Sequence, residues 1–430
     1  MIQGVTEKVF HFIWQFRLYK EDDLRLTNGS KLNVITPGMY HQDSGPDFMH
    51  AKVRIDDTLW VGNVELHLKS SDWKKHNHHT DSSYDSVILH VVIHHDEEVF
   101  EKFGNAIPVL ELRSKISPTL IDRWNIMNSG MFPIPCFEIG RVDVLTMNNW
   151  MDRLVVERLE SRSEQIKVIL KSCRFDWQET FHVFLFRAMG LGVNALPFEL
   201  TARRVPYSLI YQYRHSIFQL EALLFGVSGL LPVDQENGYV HALLKEYEFL
   251  SRKHRLKPIE VHLWKFLRMR PMNFPTVRIA QSAAIHSGQL LNPDALCEMT
   301  SVDQILKVLK GQASEYWNNH YRFNEVSDYR KKLIGNESAR GLIINAIIPV
   351  LFEYSRFRGN QNLRERCLDW LYQIKQEDNT IIRKWIEFGV KPTSAAQSQA
   401  LVQLRKSYCD ERRCLDCAVG HRLLKDTLKS

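Results

Sequence analysis

The chain has 430 residues and a mass of 50.4 kDa, with 44% hydrophobic and 25% charged residues, the composition of a folded protein with two or three domains. The most apolar run, Leu342–Phe352, is interrupted by Asn345 and Pro349 and is too short to span a bilayer; the N-terminus has no signal-peptide core, and seven cysteines without a regular framework argue against a secreted disulfide fold. A cytoplasmic protein with no membrane partner is therefore expected. The net charge of +6 conceals an asymmetry: residues 1–113 hold 12 Lys+Arg against 17 Asp+Glu and 10 of the 18 histidines, while the remainder holds 44 against 33. A metal centre beside a polyanion-binding surface would produce this division, and so would chance partitioning of surface charge.

In chain order, Val5, Val9, Phe12, Ile13 and Phe16 form a stripe at helical spacing, with Thr6 as a cap. Leu32–Ile35 reads as a short strand. A hairpin follows, from Pro46-Asp47-Phe48 through Ala51–Ile55, a turn at Asp56-Asp57, and Trp60–Lys69. Ser86–His94 is β-branched and apolar on both faces, the mark of a central strand, and Ala106–Leu112 is another strand. Together these predict an α/β module over residues 1–118. Residues 119–143 form a connector, punctuated by Met131-Phe132-Pro133-Ile134-Pro135-Cys136. From 144 to 403 the pattern is amphipathic helix, as in Asn149–Ile169, Thr180–Leu191, Leu209–Phe225, Gly238–His254 and Val302–Leu309. Residues 404–430 hold a separate cysteine element.

Chemistry concentrates in the hairpin. Alternation along its second strand sends Trp60, Val64, Leu66 and Leu68 one way and Asn63, Glu65, His67 and Lys69 the other. An acid, an imidazole and an ammonium on one face of a core strand are costly unless they bind something. Asp47 opens the partner strand and can approach Glu65; a divalent cation is the usual resolution of two adjacent carboxylates. The plain reading is a hairpin with a solvated polar face and an ordinary Glu65–Lys69 pair. Just beyond lies Ser71-Asp72-Trp73-x2-His76-x-His78-His79-x-Asp81. Its His76 and His78, with Asp72 or Asp81, suit a second metal, contact with substrate phosphate, or a solvated loop. His90 reads as a core imidazole, and His94 and His95 as exposed.

Pro46-Asp47, followed 18 positions later by Glu65-x-His67, resembles the PD-(D/E)XK nuclease superfamily. The resemblance implies a restriction-endonuclease-like α/β fold for roughly the first 115 residues, followed by a large, mostly α-helical region. It also implies Mg²⁺ or Mn²⁺ held by Asp47 and Glu65, and a metal-dependent nuclease acting on nucleic acid, with DNA the expected form. His67 stands where the superfamily has a lysine, so His67 or Lys69 would serve the water or the transition state, and Glu7 is the acid available on the first helix. The rival expectations are a non-catalytic nucleic-acid-binding or scaffold protein on a degenerate nuclease fold, and a metal-dependent hydrolase of a smaller phosphorylated substrate. The whole chain also resembles an uncharacterised bacterial domain-of-unknown-function family. The resemblance rests on Ser44-Gly45-Pro46-Asp47-Phe48, Trp60–His67, Ser71-Asp72-Trp73-x2-His76-x-His78, Glu221–Gly226 and Arg268-Met269-Arg270-Pro271-x2-Phe274-Pro275-x2-Arg278.

Arg268, Arg270 and Arg278 cluster around a helix break and suit either nucleic-acid phosphate or a structural clamp. Gly226 and Gly229 read as a flexible break, and no Gly-x4-Gly-Lys-Ser/Thr occurs, which argues against an ATPase. In Cys409-x4-Cys414-x2-Cys417 the last two thiols can grip one tetrahedral metal and Cys409 can join them. His421 or distant Cys136 is the candidate fourth ligand. Zn²⁺ is favoured over an iron–sulfur cluster here, with free buried thiols as the alternative.

Overall fold

The computed structural model describes residues 4–41, 44–129, 136, 138–232, 238–288 and 290–426; the prolines of the 131–135 stretch lie outside them. Two compact units emerge. One comprises residues 1–150, 387–390 and 404–430, the other residues 151–386 and 391–403. The C-terminal cysteine element and the connector thus fold with the N-terminal module instead of forming separate pieces.

In the first unit, helix α1 (Glu7–Gln15) starts where expected, with the Thr6 hydroxyl accepting from Val9 N, and buries Val9, Phe10, Phe12, Ile13 and Trp14. Strands β1 (Leu32–Thr36), β2 (Met39–Tyr40), β3 (Phe48–Ile55) and β4 (Thr58–Lys69) follow, then helix α2 (Asp72–Lys75) and strands β5 (Val87–His94) and β6 (Val109–Glu111). The sheet order is β1-β3-β4-β5-β6, with β2 on the edge of β3. β1, β3 and β4 are antiparallel, and β5 and β6 continue parallel. Helix α3 (Pro118–Asn128) and the start of α4 (Val144–Ser172) complete this chain order.

β4 is therefore not half of a solvated hairpin. Flanked by β3 and β5, it buries Glu65 (5% exposed) and His67 (2%) along with Val64 and Leu66, while Trp60, in the first half of the strand where only β3 pairs with it, is exposed. The alternation from Trp60 to Leu68 fails at Asn63/Val64, where the β4–β5 register shifts.

The second unit is helical, with a two-stranded ribbon at His320–Arg322 and Glu325–Val326. Gly238–His254 forms one helix with the predicted bounds. The expected Leu209–Phe225 helix is two, Tyr207–Tyr213 and Ile217–Ser228, because Ser216 caps a fresh start by accepting from Gln219 N. Gly226 is not a hinge: a Cβ there would lie 2.1 Å from the Tyr247 ring, so glycine permits close packing of two helices. The break falls at Gly229, whose φ of 72° ends the helix left-handed.

Candidate metal centre

Parallel pairing sets Glu65 opposite His90, and His67 lies two residues on along the same face of β4. The β4–β5 crossover folds back over that face. Trp73 anchors it, buried among Val92, Val99, Ile107 and Val109. Asp72 braces its entry: one carboxylate oxygen accepts from Lys69 N (3.1 Å) and the other pairs with Lys75 (2.5 Å). Asn77, between the two histidines, adopts the left-handed conformation (φ 61°) that asparagine tolerates. That turn brings both His76 and His78 to the strand.

The result is a tight constellation. His67 Nε2 lies 3.0 Å from His76 Nδ1 and 3.7 Å from Glu65 Oε1, and His78 Nε2 lies 3.3 Å from the same Glu65 oxygen. Ligand atoms of His67, His76 and His78 all fall within 4.8 Å of one another. A tetrahedral ion with metal–nitrogen bonds of 2.0–2.1 Å needs about 3.3–3.4 Å between ligand atoms, inside the observed spread. Behind the cluster, His67 Nδ1 lies 2.9 Å from His90 Nε2, the contact that fixes a ligand imidazole's ring and leaves its other nitrogen facing inward. His78 stacks on Tyr84 at 3.8 Å, and Tyr84 donates to the Gly45 carbonyl.

Asp47 borders this group. Its N–H donates to Glu65 Oε2 (3.0 Å), its Oδ2 accepts from Leu66 N (3.0 Å), and His11 Nε2 approaches the same oxygen at 3.2 Å. Glu7, one turn before His11 on α1, is close enough to act electrostatically on Glu65. Burial, reinforced by the Asp47 charge, holds the Glu65 carboxyl well above the usual carboxylate range. Burial and neighbouring imidazoles push His67 far down and hold His90 at about 3. A buried carboxyl beside His67 and His90, both kept from protonation by burial, forms a pocket rich in donor atoms.

The structure thus brings together Asp47, Glu65, His67, His76 and His78, with Glu7 nearby. Lys69 is elsewhere: its ammonium lies 3.8 Å from Asp96. Asp72 is a brace, not a member. His90, assigned to the core by its apolar strand, is buried as expected and also touches His67. His11 was missed; its place four residues after Glu7 on α1 was the available signal. The three arginines do not form one patch. Arg268 and Arg270 are exposed. Arg278 is 4% exposed and donates to Asn273 Oδ1 (2.7 Å), Ser338 Oγ (3.0 Å) and Gln281 Oε1 (3.3 Å), which is a clamp. With Arg162 and Arg187 it lines a cleft of about 620 Å³.

At the cysteines, Cys136, Cys409, Cys414 and Cys417 are all buried, and burial, with the other three sulfurs as neighbours, pushes the Cys136 thiol well above its usual value. His421 is turned away: its Nε2 meets the Leu415 carbonyl, and its ring packs against Phe12 and Phe16. Of the two candidate fourth ligands, the structure brings Cys136 to the other thiols.

Fold and site define a protein with an N-terminal mixed α/β unit, carrying a carboxylate–imidazole cluster, and a helical unit. The chain belongs to the family described as Protein of unknown function (DUF2851), whose model matches residues 7–380. No curated protein and no solved structure matches it. Among the described residues, no helix is long and apolar enough to cross a membrane.

Proposed function

We propose that this protein is a metal-dependent hydrolase of phosphodiester bonds in nucleic acid, with one divalent transition-metal ion held by Glu65, His67, His76 and His78. The observation that carries the reading is the convergence of three imidazole nitrogens within 4.8 Å of one another, with Glu65 Oε1 3.3 Å from His78 Nε2 and 3.7 Å from His67 Nε2. Three nitrogen donors suit Mn²⁺ or Zn²⁺ and disfavour Mg²⁺, which takes oxygen. The chain order of α1, four antiparallel strands, a short helix and two parallel strands, with Pro46-Asp47 before β3 and Glu65 on β4, supports a nuclease-like module. The excess of basic residues after residue 113 supports a polyanionic substrate.

A bound ion would polarise a phosphoryl oxygen and lower the pKa of a water. His90 holds the His67 ring in register. Asp47, fixed by Leu66 N–H, pairs with His11 at the rim, where the pair can accept a proton from an attacking water. Lys69, engaged with Asp96, does not replace the lysine of the nuclease pattern. The chemistry therefore rests on the metal and on the Asp47–His11 pair.

The test is cleavage of single- and double-stranded DNA and RNA by metal-free protein resupplied with Mn²⁺, Zn²⁺ or Mg²⁺. Activity should follow Mn²⁺ or Zn²⁺ and vanish in Glu65→Gln and His78→Ala. Asp47→Asn should retain metal binding and lose roughly 10²–10⁴-fold in kcat. Salt-sensitive binding without cleavage under any metal would favour a scaffold. Hydrolysis of small phosphodiesters alone would assign the smaller-substrate alternative.

A further inference from the structure

The cleft of about 620 Å³ lined by Arg162, Arg187 and Arg278 belongs to the helical unit and takes no part in the cluster on β4. A backbone irregularity shapes its wall. The helix Asn336–Leu342 runs into a π-helical turn (Ile343–Ile347), a form frequent at functional sites, and Pro349 stands at the start of the next helix, Ile348–Phe357. Proline has no N–H to offer the Asn345 carbonyl four residues before it. Arg162, on α4, takes that carbonyl instead (2.7 Å) and also donates to Gln165 Oε1 (3.0 Å). Its guanidinium lies over the Phe184 ring, 5.2 Å from the centroid.

Charge on this wall is not balanced. Arg278 is 4% exposed, and its acceptors, Asn273 Oδ1, Ser338 Oγ and Gln281 Oε1, are all neutral. Its Nε is buried without a partner. The acceptors of Arg162 are likewise a carbonyl and an amide. Arg187 pairs with Glu199 (2.6 Å), which Arg203 also holds (2.9 Å). Glu337, an acid on the lining, is engaged by Arg340 (2.8 Å). A buried guanidinium without a counter-ion is costly, and an anion in the cleft would supply one.

Arg278 also sets the polarity of the lining. A guanidinium only donates, so Asn273 must turn its amide oxygen toward it, and Ser338 a lone pair. That leaves the Asn273 NH2 and the Ser338 hydroxyl proton as donors. Donors and positive charge in excess call for an anionic acceptor. A carboxylate offers two oxygens, whereas a phosphate monoester offers three and close to two negative charges. The volume exceeds that of a bare ion and falls in the range of small-molecule sites. Leu191, 45% exposed and held left-handed (φ 51°) before Gly192 (φ 78°), gives the lining an apolar contact for the rest of such a molecule.

We propose that this cleft binds a small phosphomonoester, its phosphate facing Arg162, Arg187, Asn273 and Ser338, with the buried Arg278 as the counter-charge behind them. The site is independent of the hydrolase reading, because it lies in the other unit and needs no metal.

The experiment is titration calorimetry on the full chain, stripped of metal with a chelator, using inorganic phosphate, adenosine monophosphate and adenosine at matched ionic strength. One phosphate per chain should bind, adenosine monophosphate should displace it, and adenosine should not bind. Ser338→Ala and Arg187→Gln, at positions that are not buried, should each weaken phosphate roughly 10–100-fold. Phosphate should raise the Tm of the wild-type chain and leave that of Arg278→Gln unmoved; a purely structural clamp would lower the midpoint and keep the phosphate-induced rise. Should Arg278→Gln fail to fold, the other two variants carry the test. Heat from phosphate no greater than from chloride or acetate would overturn the proposal, as would unchanged affinity in Ser338→Ala and Arg187→Gln. Displacement of phosphate by single-stranded DNA with a 5′-hydroxyl, as effective as by adenosine monophosphate, would show that the cleft reads diesters and would overturn it too.

Discussion

His67 is held on both sides by other imidazoles, with His90 behind it and His76 in front. The His90 contact acts through His67 and not on a bound ion directly, so His90→Phe should weaken Mn²⁺ or Zn²⁺ binding roughly 10–100-fold while leaving the fold intact. Titration calorimetry on metal-free protein checks this; unchanged affinity would remove His90 from the site's support. A second residue-scale expectation concerns Glu221, buried in the helical unit, where it accepts from Tyr239 OH and Ser314 N. Burial raises its pKa from 4.5 to about 7. A carboxyl raised in the folded state contributes stability below its unfolded value, and that contribution is lost as pH climbs through the folded value. The helical unit should therefore weaken between about pH 4.5 and 7, by on the order of 3 kcal/mol. Glu221→Gln should flatten that slope, measured as denaturation midpoints across pH. At this scale the sequence made Asp47, Glu65 and His67 legible, because acid and imidazole on a core strand are conspicuous. It left the link from His67 to His90 illegible, since that contact crosses between strands and leaves no local pattern, and for His11 it offered only the place four residues after Glu7 on one helix.

The hairpin was legible as an element and its partners were not. Alternation identifies a strand, but it does not say that β5 pairs with β4 in parallel, which depends on the crossover carrying Trp73, His76 and His78. That pairing buries what alternation alone reads as a solvated face. The α1 stripe and the Gly238–His254 helix were readable because each carries its full period and its own end signals. Gly226 was misread for the opposite reason: the Tyr247 ring that explains it lies on another helix. Gly226→Ala should force Ile217–Ser228 and Gly238–His254 apart and cost about 1–3 kcal/mol. A lowered Tm, with unchanged metal binding in the other unit, is the expected result; an unchanged Tm would show that the ring simply moves aside.

At the scale of the molecule, the composition split between an acidic, histidine-rich beginning and a basic helical remainder anticipates two units, yet it misplaces their boundary. Residues 404–430 return to the first unit, where His421 packs on Phe12 and Phe16 at 4.7 and 4.9 Å and Lys425 covers Phe16. Contacts separated by some four hundred residues leave no trace in a local pattern. Removing 404–430 would expose the outer side of α1, whose His11 pairs with Asp47 beside the proposed metal site. Hydrogen exchange should then rise across residues 7–128 while the amides around Glu221 keep their protection. Uniform loss of protection in both units would argue that they fold as one.

The central claim is that Glu65, His67, His76 and His78 hold one transition-metal ion. Diffraction from a crystal of the protein soaked with Mn²⁺, recorded at the manganese absorption edge, tests it without any knowledge of the substrate. A single anomalous peak within about 2.0–2.2 Å of Glu65 Oε1 and the three facing imidazole nitrogens is the predicted result. An empty cluster at saturating Mn²⁺, or an ion bound elsewhere with these side chains unmoved, would contradict it.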